Sequence, residues 1–421
     1  MELLENIIWI YLTIPLLFAV SVFFTIYMKA PQFRFGKIKR SFQKKDNQNQ
    51  ISPFSTLLIA LSARIGLGTL AGTGLAIAVG GPGAIFWMWI SAIITAAATF
   101  AENTIAQKFK QGSSDNYYGG PAFYIKHGLK RKKFAGLYAL IFIVTYTLGF
   151  VAVQMNTITA TFTQSTGLSP TLIGVVLVIL TALTIMGSIT KIAKLIAAVI
   201  PFIAIFFLGV ALVAIMINFS YIPAFFAEII TSAFDFNSAV GGGIGVAITT
   251  GIKRGVFSNE AGLGTGSHAA ALTHHKDPRE QGYIGVLGIY LTSIVAITLV
   301  AFIIMSSGAH RFVTPTGNGI EFLHFSLLRL FGSATSVLLP LIIFFFGFST
   351  VVTAYLYGIM NIKFLTAKKS APTMLRLILL FVVFLAATTN PRFIWRLVDI
   401  GVGLTAIINL SALVLLRKYL K

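Results

Sequence analysis

Residues 63–89 read ARIGLGTLAGTGLAIAVGGPGAIFWMW, and residues 241–268 read GGGIGVAITTGIKRGVFSNEAGLGTGSH. Each stretch is long and apolar enough to enter a bilayer, yet glycines interrupt it and charged or polar side chains lie near its middle. An interrupted helix cannot face lipid, because every unpaired backbone group in hydrocarbon costs several kcal/mol. Both stretches are therefore predicted to be broken helices that line a protein interior.

The composition of the whole chain places it in a membrane. Of its 421 residues, 56% are hydrophobic and only 10% are charged. Soluble domains carry about 25% charged residues, and so little charge could not cover this much apolar surface. The chain is predicted to be an all-α integral membrane protein. The absence of cysteine excludes disulfide bonds and thiolate metal sites.

Eleven apolar segments have the length of a membrane-spanning helix, which is about 20 residues. They cover residues 6–28, 53–79, 82–108, 134–163, 169–188, 190–218, 239–272, 283–306, 333–360, 372–389 and 393–416. Residues 1–52 are predicted to hold an extra peripheral helix and a basic cytoplasmic loop. The remaining spans then form two halves of five, 53–218 and 219–421, and each half begins with a broken helix. Five is odd, so the halves have opposite orientations, which is the layout of a LeuT-type inverted repeat.

The positive charges lie mainly in alternate loops. The chain has 32 Lys and Arg against 12 Asp and Glu, a net charge of +20. The 29–52 and 108–133 loops are rich in Lys and Arg, whereas 164–168 and 219–238 contain neither. The positive-inside rule puts the amino terminus outside and the carboxyl terminus in the cytoplasm, in a cell inner (plasma) membrane. This distribution accounts for the charge without a nucleic acid. Membrane lipid is the expected partner of the basic loops, and no required protein partner is inferred.

The two interruptions are predicted to lie at one depth in the bilayer. Gly66 is about 20 Å from the start of its span at 1.5 Å per residue, and residues 251–255 lie at a similar depth in theirs. Freed N–H groups suit a carboxylate, and freed carbonyl groups suit an ammonium group or Na⁺. The pattern favours the site of a secondary transporter over that of an enzyme. Two alternatives stay open: the glycines could serve only close helix packing, and Arg254 with Glu260 could form a structural ion pair.

Several stretches resemble signature segments of the alanine/glycine:cation symporter family. They are GGPGAIFWMW (80–89), GGPAFYIKHGL (119–129), GIKRGVFSNEAGLGTGSHAAA (251–271), FGFSTVV (346–352) and DIGVGLTAIINLSAL (399–413). The resemblance runs from about residue 15 to the last residue. It implies a LeuT-like fold that imports a small neutral amino acid with Na⁺, or less often with H⁺, by alternating access.

The same resemblance implies which residues bind the transported species. The substrate positions correspond to Gly66, Gly68, Thr69, Gln154, Phe257, Asn259, Thr350 and Ala354. The backbone at Gly66 and Gly68 would receive the substrate carboxylate, while Gln154 would form a polar wall. The Na⁺ site would consist of the Ser349 and Thr350 hydroxyl groups with backbone carbonyl groups near Ile65 and Gly66. Gln154, Ser349 and Thr350 are also uncharged polar residues in apolar spans, for which a helix–helix hydrogen bond is the alternative.

Two positions depart from the family pattern. The family usually has Asn after the first glycine pair, where this chain has Thr69, so an amide ligand is lost and the choice between Na⁺ and H⁺ stays open. The family usually has Gly-Trp after its F-S-T run, where this chain has Thr353-Ala354. A methyl group in place of an indole enlarges the pocket, so we expect a substrate larger than alanine. A proton-coupled carrier or exchanger, and a sensor that binds an amino acid without moving it, remain alternatives.

Overall fold

The computed structural model of the chain describes residues 2–42, 51–113, 116–235, 244–313, 319–389 and 392–420. The principal elements are helices, in chain order α1 (Leu3–Tyr27), α2 (Pro53–Arg64), α3 (Leu67–Gly80), α4 (Gly83–Phe109), α5 (Pro121–Gly128), α6 (Lys132–Thr166), α7 (Pro170–Ile185), α8 (Ile189–Ile217), α9 (Ile222–Ala233), α10 (Ile244–Asn259), α11 (Thr265–Ala270), α12 (Arg279–Ser306), α13 (Ile320–Phe331), α14 (Thr335–Leu365), α15 (Ala371–Thr388) and α16 (Arg392–Leu415).

Within the described ranges, eight helical segments are long and apolar enough to cross a membrane. The pair α2 and α3, bent by 49° at its break, makes a ninth span if it is counted as one. The predicted span 169–188 corresponds to α7, which has 16 residues. The predicted span 239–272 corresponds to α10 and α11, and its residues 239–243 lie outside the described part of the chain. The all-helical, multi-pass membrane architecture expected from composition is thereby confirmed.

The first break lies where the sequence predicts it. Helix α2 begins after Ser52, whose hydroxyl group accepts the Ser55 N–H at 3.0 Å, and it ends at Arg64. Gly66 is extended (φ −114°, ψ −158°) and precedes the first residue of α3. Thr69 Oγ1 donates to the Arg64 carbonyl oxygen at 2.9 Å, which replaces a backbone hydrogen bond that the break removes.

The second break lies later in the chain than predicted. Residues 251–255 are helical within α10, and the helix is interrupted only at residues 260–264. There Glu260, Gly262 and Gly264 have φ values of +55°, +74° and +92°. Gly255 instead faces α4, because a Cβ at this position would lie 3.2 Å from the Met88 Cα atom. The prediction of a break at Gly251–Gly255 is therefore wrong, since these glycines serve close helix packing.

The first helix contacts the rest of the bundle closely. Trp9 is fully buried, and its Nε1 donates to the Asp399 carbonyl oxygen on α16 at 2.8 Å. The ring centroid of Trp9 lies 6.4 Å from that of Phe257 on α10. Lys253, also on α10, places its Nζ 2.6 Å from Glu5 Oε1. Helix α1, expected as a peripheral addition, thus contacts both α10 and α16.

Candidate substrate and cation site

The two broken helices contact each other near their interruptions. Thr69 Oγ1 on α3 lies 2.6 Å from Ser258 Oγ on α10. The Phe257 ring covers Gly68, where a Cβ would lie 3.4 Å from Phe257 Cδ1. Thr69, Phe257 and Ser258 are all buried. The structure therefore brings together the first turn of α3 and the last turn of α10, and with them three of the predicted substrate positions.

The amino-terminal end of α3 has no capping side chain, because Gly66 occupies the capping position. Free N–H groups at such an end carry partial positive charge and bind carboxylates. Gln154 on α6 is buried, and neither atom of its amide group has a hydrogen-bond partner among the described residues. Its Oε1 lies 3.5 Å from the place of a Cβ on Gly347 of α14. A buried amide left unpaired costs about 1–3 kcal/mol, so Gln154 is suited to a polar ligand.

Oxygen atoms of α2 and α14 converge beside this end of α3. Thr350 Oγ1 lies 2.9 Å from both the Ser62 and the Phe346 carbonyl oxygens, either of which can accept its one proton. Ser349 Oγ donates to the Phe346 carbonyl oxygen at 3.0 Å. Neutral hydroxyl and carbonyl oxygens next to an unwound helix suit a hard monovalent cation such as Na⁺. The structure thus places the predicted ligands Ser349 and Thr350 within one group of oxygens.

Ser62 is a participant that sequence reasoning misses. The carbonyl group that pairs with Thr350 belongs to Ser62, one helical turn before the predicted carbonyl groups near Ile65 and Gly66. The Ser62 hydroxyl group also donates to the Ser349 carbonyl oxygen at 3.0 Å. The sequence carries no distinguishing signal for it, because a serine within a helix such as α2 commonly bonds to its own backbone.

The predicted substrate positions Asn259 and Ala354 lie at the end of α10 and within α14. Asn259 Nδ2 donates to Ser293 Oγ on α12 at 3.1 Å, and its Oδ1 accepts the Ala261 N–H at 2.9 Å. The Asn259 side chain therefore caps the end of α10, while its neighbour Ser258 contacts Thr69. Ala354 lies one turn after Thr350 on the same face of α14 and is buried.

Three charged side chains form a buried charge cluster at the two breaks. Arg64, Glu102 and Glu260 have relative exposures of 2%, 1% and 3%. The charges of both carboxylates act on the Arg64 guanidinium group. The structural ion pair considered between Arg254 and Glu260 does not form. The charge that acts on Glu260 is that of Arg64, whereas Arg254 acts on Asp399.

Glu102 is held by N–H groups from the second break. Its Oε1 accepts from the Ser267 backbone N–H at 3.0 Å, and its Oε2 accepts from the Gly264 backbone N–H at 3.2 Å. Asn409 Nδ2 on α16 also donates to Oε2 at 3.0 Å. Glu102, on α4, therefore satisfies backbone groups that the interruption between α10 and α11 leaves unpaired.

Broken helices that meet at a buried polar site are the hallmark of a secondary transporter. Residues 1–421 match the model of the sodium:alanine symporter family, and the chain belongs to this family. The probable sodium/glutamine symporter GlnT of Bacillus subtilis is 36% identical over 98% of this chain and 87% of its own length. The sodium/alanine symporter AgcS of Methanococcus maripaludis is 32% identical over 98% of this chain and 93% of its own length. The expected family is confirmed, and its members are transporters rather than enzymes.

Solved structures with the same fold are also transporters. The crystal structure of MhsT in complex with L-phenylalanine has a TM-score of 0.61 at 15% identity, covering 86% of this chain and 89% of MhsT. The manganese transporter of Eremococcus coleocola has a TM-score of 0.57 at 13% identity, covering 87% and 76%. Both have the LeuT fold. The LeuT-like helical fold implied by the sequence is therefore confirmed.

Proposed function

We propose that the chain is a Na⁺-coupled symporter that imports a neutral amino acid by alternating access. The observation that carries the proposal is the position of Gly66. Its Cα lies against the Thr350 hydroxyl group, which belongs to the group of oxygens formed with Ser62, Ser349 and Phe346, and Gly66 precedes the uncapped N–H groups of α3. A cation and a substrate carboxylate bound there would share one short segment, so each would raise the affinity of the other.

The proposal includes a membrane topology. Residues 53–218 and 219–421 would be inverted five-helix repeats within eleven spans, with the amino terminus outside and the carboxyl terminus in the cytoplasm. The break between α2 and α3 and the break between α10 and α11 support this division, because each falls at the first span of its repeat. The basic loops 29–52 and 108–133 support the orientation in a cell inner membrane.

Uptake of labelled amino acids into proteoliposomes tests the function. We expect accumulation that requires an inward Na⁺ gradient. Uptake driven by a proton gradient without any need for Na⁺ would replace the proposal by a proton-coupled carrier. Saturable binding without accumulation would replace it by a sensor.

We further propose that the substrate is a medium-sized polar amino acid of the glutamine class. Ala354 is small where the family usually has tryptophan, and it lies on the Thr350 face of α14. The unpartnered amide of Gln154 offers both a donor and an acceptor to a polar side chain. The relative GlnT is named as a probable sodium/glutamine symporter, which supports the same class.

Replacing Ala354 by tryptophan tests the substrate class. In Ala354→Trp the indole would occupy the volume beside Thr350, so uptake of glutamine should fall at least about tenfold relative to that of alanine. The measurement is competition by a panel of amino acids, with Ala354→Ser as the small control. An unchanged substrate profile in Ala354→Trp, or wild-type uptake confined to glycine and alanine, contradicts the larger pocket.

A further inference from the structure

The formal charges of the buried charge cluster do not sum to zero. Arg64 contributes one positive charge, whereas Glu102 and Glu260 would contribute two negative charges if both were ionised. A net charge buried at the depth of the breaks is expensive, and such groups either pair or bind an ion. One negative charge therefore remains to be neutralised.

Glu102 is the carboxylate that is built to stay ionised. Three N–H groups, from Gly264, Ser267 and Asn409, donate to its two oxygens, and the Gly264 and Ser267 donors belong to the amino-terminal end of α11. Charge-assisted hydrogen bonds of this kind favour the charged form. Arginine keeps its proton in proteins, so the charges of Arg64 and Glu102 sum to zero, and a negative charge on Glu260 would be the excess.

Glu260 is differently surrounded. Its Oε2 is buried and has no hydrogen-bond partner among the described residues. A second metal cation at this oxygen would be repelled by Arg64, whose charge already acts on Glu260. A proton needs no further ligands and removes the charge on the carboxyl group itself. The surroundings of Glu260 therefore favour a proton over Na⁺.

The other titratable groups near Glu260 do not take this role. The charge of Glu260 also acts on the phenol groups of Tyr138 and Tyr146 on α6 and of Tyr357 on α14, which are ordinarily neutral. His268 on α11 uses both ring nitrogens: Nδ1 lies 2.9 Å from the Gly264 carbonyl oxygen, and Nε2 lies 2.9 Å from Asn361 Nδ2. The carbonyl oxygen requires a proton on Nδ1 and the amide requires a lone pair on Nε2, so these bonds hold His268 neutral.

We propose that Glu260 binds a proton in the closed state of the transporter and releases it when the second break opens, so that a proton moves with the amino acid. Glu260 lies at the end of α10, two residues after the Ser258 that contacts Thr69. A change at this carboxyl group therefore acts directly on the segment that contacts α3. The inference rests on the proposed transport function, but it concerns a different ion and a different residue from the Na⁺ site.

The test measures proton movement during uptake. Wild-type protein is reconstituted into vesicles that contain a pH-sensitive dye, with the membrane potential clamped by K⁺ and valinomycin. Addition of glutamine or alanine under an inward Na⁺ gradient should acidify the lumen.

In Glu260→Gln, the protons moved per amino acid should fall at least about tenfold, because an amide does not titrate. Glu260→Asp retains a carboxyl group and should retain acidification. Glu228→Gln, outside the cluster on α9, is the matched control and should behave as wild type.

The outcomes separate this proposal from the transport function. Na⁺-driven uptake by the wild type without acidification overturns the proton site and leaves the symporter intact. Acidification that persists in Glu260→Gln also overturns it, and its loss in His268→Gln alone would move the site to His268. Proton-driven uptake that needs no Na⁺ but is lost in Glu260→Gln supports the proton site and overturns the Na⁺ coupling. Proton release on adding substrate to wild type and Glu260→Asp in detergent gives a second readout if Glu260→Gln does not fold.

Discussion

Gly66→Ala should reduce Na⁺-driven amino-acid uptake at least about 100-fold, the scale on which small displacements of a binding group act. A Cβ at this position would overlap the Thr350 hydroxyl group, which lies among the oxygens proposed to bind Na⁺. The backbone of Gly66 is extended with negative φ, a conformation that alanine adopts freely. The loss would therefore come from the displaced hydroxyl group and not from backbone strain. Initial uptake rates as a function of Na⁺ concentration measure the effect.

Gly72→Ala is the matched control for this prediction. Gly72 lies within α3, and a Cβ there would meet no atom within 4 Å. Alanine is favoured over glycine inside a helix by about 1 kcal/mol, so this variant should transport as well as wild type. Na⁺-driven uptake by Gly66→Ala within a few-fold of wild type would contradict the shared cation and substrate segment.

Glu102→Gln should destabilise the protein by about 1–3 kcal/mol, which is the cost of leaving a buried hydrogen-bond donor without an acceptor. The substitution removes one of the two negative charges that act on the buried Arg64 guanidinium group. It also turns an NH₂ group either toward the donors of Gly264 and Asn409 or toward the Ser267 N–H, and the donors that it faces lose their acceptor. Thermal unfolding of the detergent-solubilised protein, together with its yield in the membrane, measures the effect.

The control for Glu102→Gln is the same chemical change at Glu228. This side chain is 26% exposed and contacts Tyr221, His310 and Arg311. Partly exposed ion pairs contribute about 0–1 kcal/mol, so Glu228→Gln should unfold close to the wild-type temperature. Equal stability of the two variants would mean that Glu102 does not hold the second break.

The sequence predicts the first break correctly because local features determine it. Glycines follow a charged residue, Arg64, inside an apolar run, and no such helix could face lipid. The second break depends on tertiary contacts that the sequence does not display. Gly251 and Gly255 look like a break, but they remain helical because α4 packs against them. The interruption falls instead at Glu260, where a residue with positive φ is tolerated beside Gly262 and Gly264.

In the candidate site, too, some residues can be predicted from the local sequence and others only from tertiary contacts. Ser349, Thr350 and Gln154 are predictable because uncharged polar side chains are conspicuous in apolar spans. Ser62 is not, since a serine in a helix commonly bonds to its own backbone, and its role depends on the approach of α14. The electrostatic interaction of Arg64 with Glu102 and Glu260 likewise involves residues far apart in the chain, and only the folded bundle brings them together.

The contact between Trp9 and Phe257 joins the amino-terminal segment to the proposed substrate site. The Trp9 ring packs near the residue that covers Gly68, and its N–H is anchored to α16. We therefore expect an epitope tag, a fluorescent fusion or a truncation within α1 to disturb the proposed binding site. Directed evolution for new substrates should include the first turns of the chain among the positions that it randomises.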